Sequence, residues 1–156
     1  MSDALSRSTP YDDEYGSCSE TRAALLIYPD AMLPEEVTRC LGIHPSESQT
    51  IGEEKVSPSG RKRIARSTFW SLSSEGHVRS LDLRRHLDWL LAQLTTCAES
   101  LAELQSVRGV KMRVNCVWYS KSGHGGPTLW PEQTQRMADL NLECSFDIYF
   151  FPDDSE

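Results

Sequence analysis

The sequence predicts a single α+β domain built on one mostly antiparallel sheet, with helices mainly on one face. Three observations carry this. Two segments near the C-terminal end, 110–119 and 142–151, alternate apolar and polar residues with period two, as half-buried strands do. Between 83 and 104, leucines recur in steps of four and three, the stripe of a helix lying on a sheet. Ala23–Tyr28 is continuously apolar and ends at Pro29-Asp30, as a strand covered on both sides would.

The elements follow in order. Residues 1–20 are Ser-rich, acidic and aperiodic, and are read as a disordered tail, with a docking segment around Tyr11 and Tyr15 as the alternative. The strand at 23–28 leads to a short helix. Pro34 suits its first position, Glu35 and Glu36 face its positive end, and Gly42 can close it; Val37, Cys40 and Leu41 form its inner face. A weak strand is expected near Ser48–Ile51, then an exposed loop rich in Pro, Ser, Glu and Gly. A strand over 61–72 begins with Arg61, Lys62, Arg63 and Arg66, charges that discourage edge-to-edge pairing.

Ser80 is placed to cap one long helix ending at Gly109, with Leu83, Leu87, Leu90, Leu94, Cys97, Leu101 and Leu104 on its buried face. Such a helix is about 35–40 Å long and must overhang, bend or extend the core. The alternating strands follow, separated by a loop and a short helix opened by Pro131 and closed at Asn141. The order is β-α-β-β-α-β-α-β. Its first six elements match the ferredoxin-like split βαβ order, with a helix and a strand appended. One domain over 21–152, with an acidic C-terminal tail at 153–156, is the expected organisation.

Composition narrows the function classes. The chain of 156 residues has a net charge of −7. Residues 1–20 contribute −4 and the last four −3, so 21–152 is neutral. No net basic surface remains for nucleic acid. The longest apolar run is too short for a bilayer, and no signal peptide is apparent. Five cysteines form no CxxC pair, and four fall on apolar faces. An odd count without a secretion signal points to a reducing cytoplasm.

The segment Ser122-Gly123-His124-Gly125-Gly126-Pro127-Thr128 joins a strand to a helix and concentrates glycines, hydroxyls and a lone histidine. Such a loop is a candidate site. It carries neither the dinucleotide fingerprint nor the P-loop pattern, and no GxSxG elbow occurs. His44, His77, His86 and His124 are scattered without metal-ligand spacing, so no metal and no cofactor are expected. Asn115 and Tyr119 share the wetter face of one alternating strand, and Asp147 and Tyr149 that of the other. They form a second candidate surface if the strands are neighbours. Arg113 would sit there too, paired with Asp147 or Glu143. A pocket lined by Trp70, Tyr119 and His124 would favour a small-ligand or enzymatic role with His124 as acid or base. A flat surface would favour an interaction module. The expected partner is another protein or a small polar ligand, not nucleic acid or membrane, and the expected state is a monomer or weak dimer.

Several separated motifs resemble a bacterial family catalogued as domain of unknown function 4279. They are Leu33-Pro34-Glu35-Glu36-Val37 with Leu41-Gly42-Ile43-His44-Pro45, Trp70-Ser71-Leu72-Ser73-Ser74, His86-Leu87-Asp88-Trp89-Leu90-Leu91, Ser122–Leu129 and Phe146–Phe150. The resemblance covers roughly 21–151. It implies a small cytoplasmic α+β domain and carries no activity or catalytic residue.

Overall fold

In the computed structural model, which describes residues 6–152, the elements run β1 (Cys18–Tyr28), α1 (Pro34–Leu41), β2 (Glu47–Gln49), β3 (Glu54–Val56), β4 (Lys62–Ile64), β5 (Phe69–Ser73), α2 (Leu83–Thr95), α3 (Ala98–Ser106), β6 (Lys111–Ser120), α4 (Pro131–Asp139) and β7 (Cys144–Tyr149). Five strands form one sheet in the order β2-β5-β1-β6-β7, and β3 and β4 form a separate hairpin. β1 is antiparallel to β5 and β6, and β2 is antiparallel to β5. β7 runs parallel to β6, which requires a crossover, and α4 supplies it. The expected mixed α+β class with a mainly antiparallel sheet is what forms. No described helix is long and apolar enough to cross a membrane.

The period-two alternation of the strands sets the core. Ala23, Leu25 and Ile27 of β1, Trp70 and Leu72 of β5, and Val114, Cys116 and Trp118 of β6 are buried with Leu87, Leu90, Leu91 and Leu94 of α2. Helices α1 and α4 open alike. Each has proline in its first turn, and each N-cap N–H donates to a side chain three residues on: Leu33 to Glu36 Oε2 at 2.8 Å and Trp130 to Gln133 Oε1 at 2.7 Å. Gly42 closes α1 in the left-handed region at φ 71°.

Four expectations are corrected. The strand read over 61–72 is two strands in different sheets, β4 and β5, separated by Ala65–Thr68. The long helix is broken at Thr96–Cys97 into α2 and α3, so the leucine stripe turns with the core rather than overhanging it. Its cap is Asp82, whose Oδ1 accepts from Arg84 N–H at 3.0 Å; Ser80 instead bonds Asp82 N–H and Asp13. Finally, the segment read as a disordered tail packs on the domain over the described residues before β1. Cys18 is a buried core residue, and Tyr15 packs against the core. Residues 1–5 and 153–156 of the predicted tails lie outside the described residues.

Candidate functional site

β6 and β7 lie side by side, so the predicted wet-face residues meet. Parallel register sets Asn115 against Ser145, Val117 against Asp147 and Tyr119 against Tyr149. Asn115 Nδ2 donates to Asp147 Oδ2 at 3.1 Å, and Ser145 Oγ donates to Asn115 Oδ1 at 2.9 Å. Asp147 thus answers Asn115, while the Arg113 guanidinium lies over the Tyr28 ring at 5.7 Å. The rings of Tyr119 and Tyr149 stack at 5.1 Å, and Phe151 joins them, 6.1 Å from Tyr149 with an 8° interplanar angle. Phe151 is 71 % exposed and Tyr149 40 %. An aromatic stack this open to water contributes little to the monomer's core and offers sequence-tolerant contact area.

The other face of β7 is also open. Phe146, Ile148 and Phe150 are 43–52 % exposed. Phe146 and Ile148 are in register with the buried Cys116 and Trp118, yet are themselves left open to solvent. Sequence reasoning missed this, because period two reports alternation and not whether a covering layer exists.

The glycine loop closes the same end of the sheet. Ser120 Oγ donates to the His124 carbonyl at 2.8 Å and accepts from Gly123 N–H at 2.9 Å, which folds the loop back on β6. Gly123 and Gly125 sit at φ 91° and 87°. A Cβ at Gly123 would lie 3.1 Å from the Phe150 ring, and one at Gly125 2.7 Å from Ser17 Oγ. These two glycines therefore allow close passage of neighbouring chain, whereas at Gly126 a Cβ would meet open space. Ser122 Oγ and His124 Nε2 are 3.1 Å apart, and both residues are exposed. Thr128 is drawn away from them, its Oγ1 2.8 Å from the Tyr15 hydroxyl, which also donates to the Gly126 carbonyl at 2.8 Å.

Trp70 does not belong to this surface. It is fully buried on the core face, paired with Ile27 near the far end of β1, and its indole N–H donates to Thr38 Oγ1 at 3.0 Å. The pocket lined by Trp70, Tyr119 and His124 does not form. Two surface hollows, of about 620 and 860 Å³, lie elsewhere: one beside Met112, Asn141 and Glu143, the other under Lys62, Arg63 and Arg66. Among the described residues no group of three His, Cys, Asp or Glu side chains is placed to hold a metal ion.

Two buried polar clusters stand behind the surface. Arg84 is fully buried and forks onto Asp82, with Nη2–Oδ2 at 2.7 Å and Nε–Oδ1 at 2.9 Å. Its remaining donors reach the carbonyls of Thr9 and Pro10, and Tyr11 and Trp130 flank it at 5.3 and 4.9 Å. Burial opposes charge on Asp82, but Arg84 and the N–H groups of Asp12 and Arg84 outweigh it and hold the carboxyl below its usual range. Burial and the Asp88 carboxylate push the Tyr11 phenol up to about 12. In the second cluster, Ala23 N–H donates to Ser74 Oγ at 3.0 Å, and Ser74 Oγ lies 2.7 Å from His86 Nδ1. His86 Nε2 lies 2.7 Å from the Ser80 carbonyl. Burial lowers the His86 pKa and outweighs the opposing pull of that carbonyl and of Asp82. The neutral ring donates from Nε2 and accepts at Nδ1, so every group is satisfied by structure. Ser74 and His86 are both buried and hydrogen-bonded within the fold, so this pairing is a strut and not an exposed nucleophile with its base.

The family model described as domain of unknown function (DUF4279) matches residues 19–151, and the chain belongs to that family. No curated protein and no solved structure matches the chain.

Proposed function

We propose that this domain is a non-enzymatic interaction module that recognises a segment of another protein. Its working surface is the open end of the large sheet, formed by Tyr119, Tyr149 and Phe151 with Asn115 and Asp147; Ser122–Gly126 with His124 lies at the same end, against Phe150 on the other face. The observation that carries the reading is the exposed three-ring stack, set beside a satisfied Asn–Asp pair on a rigid sheet. Exposed tyrosines and phenylalanines with adjacent hydrogen-bonding groups are the composition of protein interfaces. The loop adds backbone and imidazole groups at that end of the sheet, on the side of Phe150. His124 has Ser122 beside it but no third group to orient it and no enclosing cavity, which supports recognition over acid–base chemistry.

The finer fold reading accompanies this proposal. The order β2-β5-β1-β6, antiparallel at each step, supports a ferredoxin-like sheet to which α4 and β7 are appended. The added strand supplies Tyr149, the middle ring of the aromatic stack. Five free thiols, with Cys116 and Cys144 Sγ atoms 3.8 Å apart, support a reducing, cytoplasmic setting.

The test is selection of binding peptides from a displayed random library, followed by titration against variants. Tyr149→Ala and Tyr119→Ala should weaken selected peptides by at least about tenfold, equivalent to about 1.4 kcal/mol. His124→Ala should weaken them less, and all three should melt nearly as the wild type does. Failure to select any peptide, or full binding by all three variants, would overturn the reading.

A further inference from the structure

The strand that supplies Tyr149 to the aromatic stack is an edge, and its backbone supplies a specific pairing geometry. Val114 N–H donates to the Glu143 carbonyl at 2.9 Å, with Val114 in register with Cys144. In a parallel ladder each such residue bonds the two residues that flank its partner. Glu143, Ser145, Asp147 and Tyr149 therefore turn their N–H and C=O groups toward β6. Cys144, Phe146 and Ile148 turn theirs outward, where among the described residues no strand pairs with them.

We infer that the occupant of this edge is a second copy of the chain, its β7 added antiparallel about a two-fold axis through Ile148. The inference rests on the reading of this end of the sheet as a contact surface. The register is chosen by chemistry. An axis at Ile148 pairs Ile148 with its own copy and Phe146 with Phe150, joining six apolar side chains on the core side. On the open side it sets the Asp147 carboxylate across from the Tyr149 hydroxyl of the partner, twice. It also meets the hydrogen-bonded kind of antiparallel pair, because Ile148 presents both backbone groups outward. An axis at Asp147 would set two carboxylates face to face, which like-charge pairing disfavours. An axis at Tyr149 would place Asp147 against Phe151. Two five-stranded sheets would thus become one continuous sheet, and the stacks of Tyr119, Tyr149 and Phe151 would adjoin across the axis.

Sedimentation equilibrium on the full chain tests this. Wild-type protein should show a concentration-dependent dimer. Ile148→Lys, which sets two ammonium groups on the axis, should weaken dimerisation by at least about tenfold, the effect of losing one central interface residue. Ser48→Lys on the opposite sheet edge should leave the dimer intact. Ile148→Cys should form an intermolecular disulfide on mild oxidation, since hydrogen-bonded antiparallel partners stand about 5.5 Å apart; Gln49→Cys should not. A wild type that is monomeric at every concentration, or a dimer that survives Ile148→Lys, overturns the inference. In that case peptide binding that still depends on Tyr149 leaves the recognition reading standing. Loss of peptide selection with an intact Ile148-dependent dimer sinks the recognition reading alone.

Discussion

The two edges of the large sheet are built differently. At one, β2 is three residues long, Glu47-Ser48-Gln49, with Glu47 and Ser48 exposed. At the other, β7 is six residues long and shows Phe146, Ile148 and Tyr149 to solvent, with Phe150 and Phe151 just beyond it. A short, charged, polar strand is how a sheet end is kept from pairing. An apolar strand of ordinary length has no such protection. The two edges share one sheet and one core, so the difference does not come from the fold. Under the proposed reading, β7 is the edge left available for contact.

That comparison requires the fold's stability to lie elsewhere than in the apolar residues of β7, and it can be broken there. The largest effect is expected at the buried ion pair. Arg84→Met removes the fork from Asp82 and leaves a buried carboxylate, at a cost of about 3–5 kcal/mol. The double variant Arg84→Met/Asp82→Asn should recover part of that loss in a denaturant titration. Truncating the core beneath both edges comes next: Leu90→Ala or Leu94→Ala should cost about 2–5 kcal/mol. A loss below about 0.5 kcal/mol for either would place these leucines at the surface and undo the packing described here.

The comparison is sharpened by pH. His86 is held neutral by burial, below its ordinary value of 6.5. The unfolded chain therefore takes up a proton first as pH falls. Stability from this group is full above pH 6.5 and is lost progressively below it, until the folded histidine itself protonates. Chemical denaturation between pH 7.5 and 5 should show this slope, and His86→Gln should flatten it. Asp82 adds a loss of the same sign further into acid, because its folded pKa is also depressed. Neither group touches β7, so dimerisation of the folded protein should follow pH less than its stability does.

The sequence disclosed the parts of the fold that rest on local periodicity. β6 and β7 were legible to within two residues because each alternates strictly. What it hid depends on contacts between distant segments. The break at Thr96–Cys97 is invisible because Leu94, Cys97, Leu101 and Leu104 keep the same buried stripe across it. The N-terminal segment reads as solvated because its acidic residues outweigh the two tyrosines that offer the docking alternative. Tyr11 and Tyr15 find Asp88, Gln133 and Gly126 more than 70 positions away. Arg84, which the leucine stripe does not single out, also holds that segment through the carbonyls of Thr9 and Pro10. Of the candidate site, Asn115, Tyr119, Asp147 and Tyr149 come together through strand pairing. Trp70 fails because its period places it on the core face. Ile148 was missed because exposure at an edge is a property of topology and not of alternation.

The smallest effect separates the edges on stability alone. At concentrations where the protein is monomeric, Ile148→Lys and Ser48→Lys should each change unfolding free energy by no more than about 0.5 kcal/mol. A much larger loss at Ile148 would mean that β7's apolar residues serve the monomer's core and not a contact.

The most direct measurement is residue-resolved hydrogen exchange of the full chain as a function of protein concentration. If β7 is the edge kept for contact, the outward amides of Phe146 and Ile148 exchange freely in dilute protein and become protected as concentration rises. The amides of β2 should keep one rate throughout. Phe146 and Ile148 amides that exchange at the same rate at every concentration, or protection that appears at β2 instead, would contradict the account.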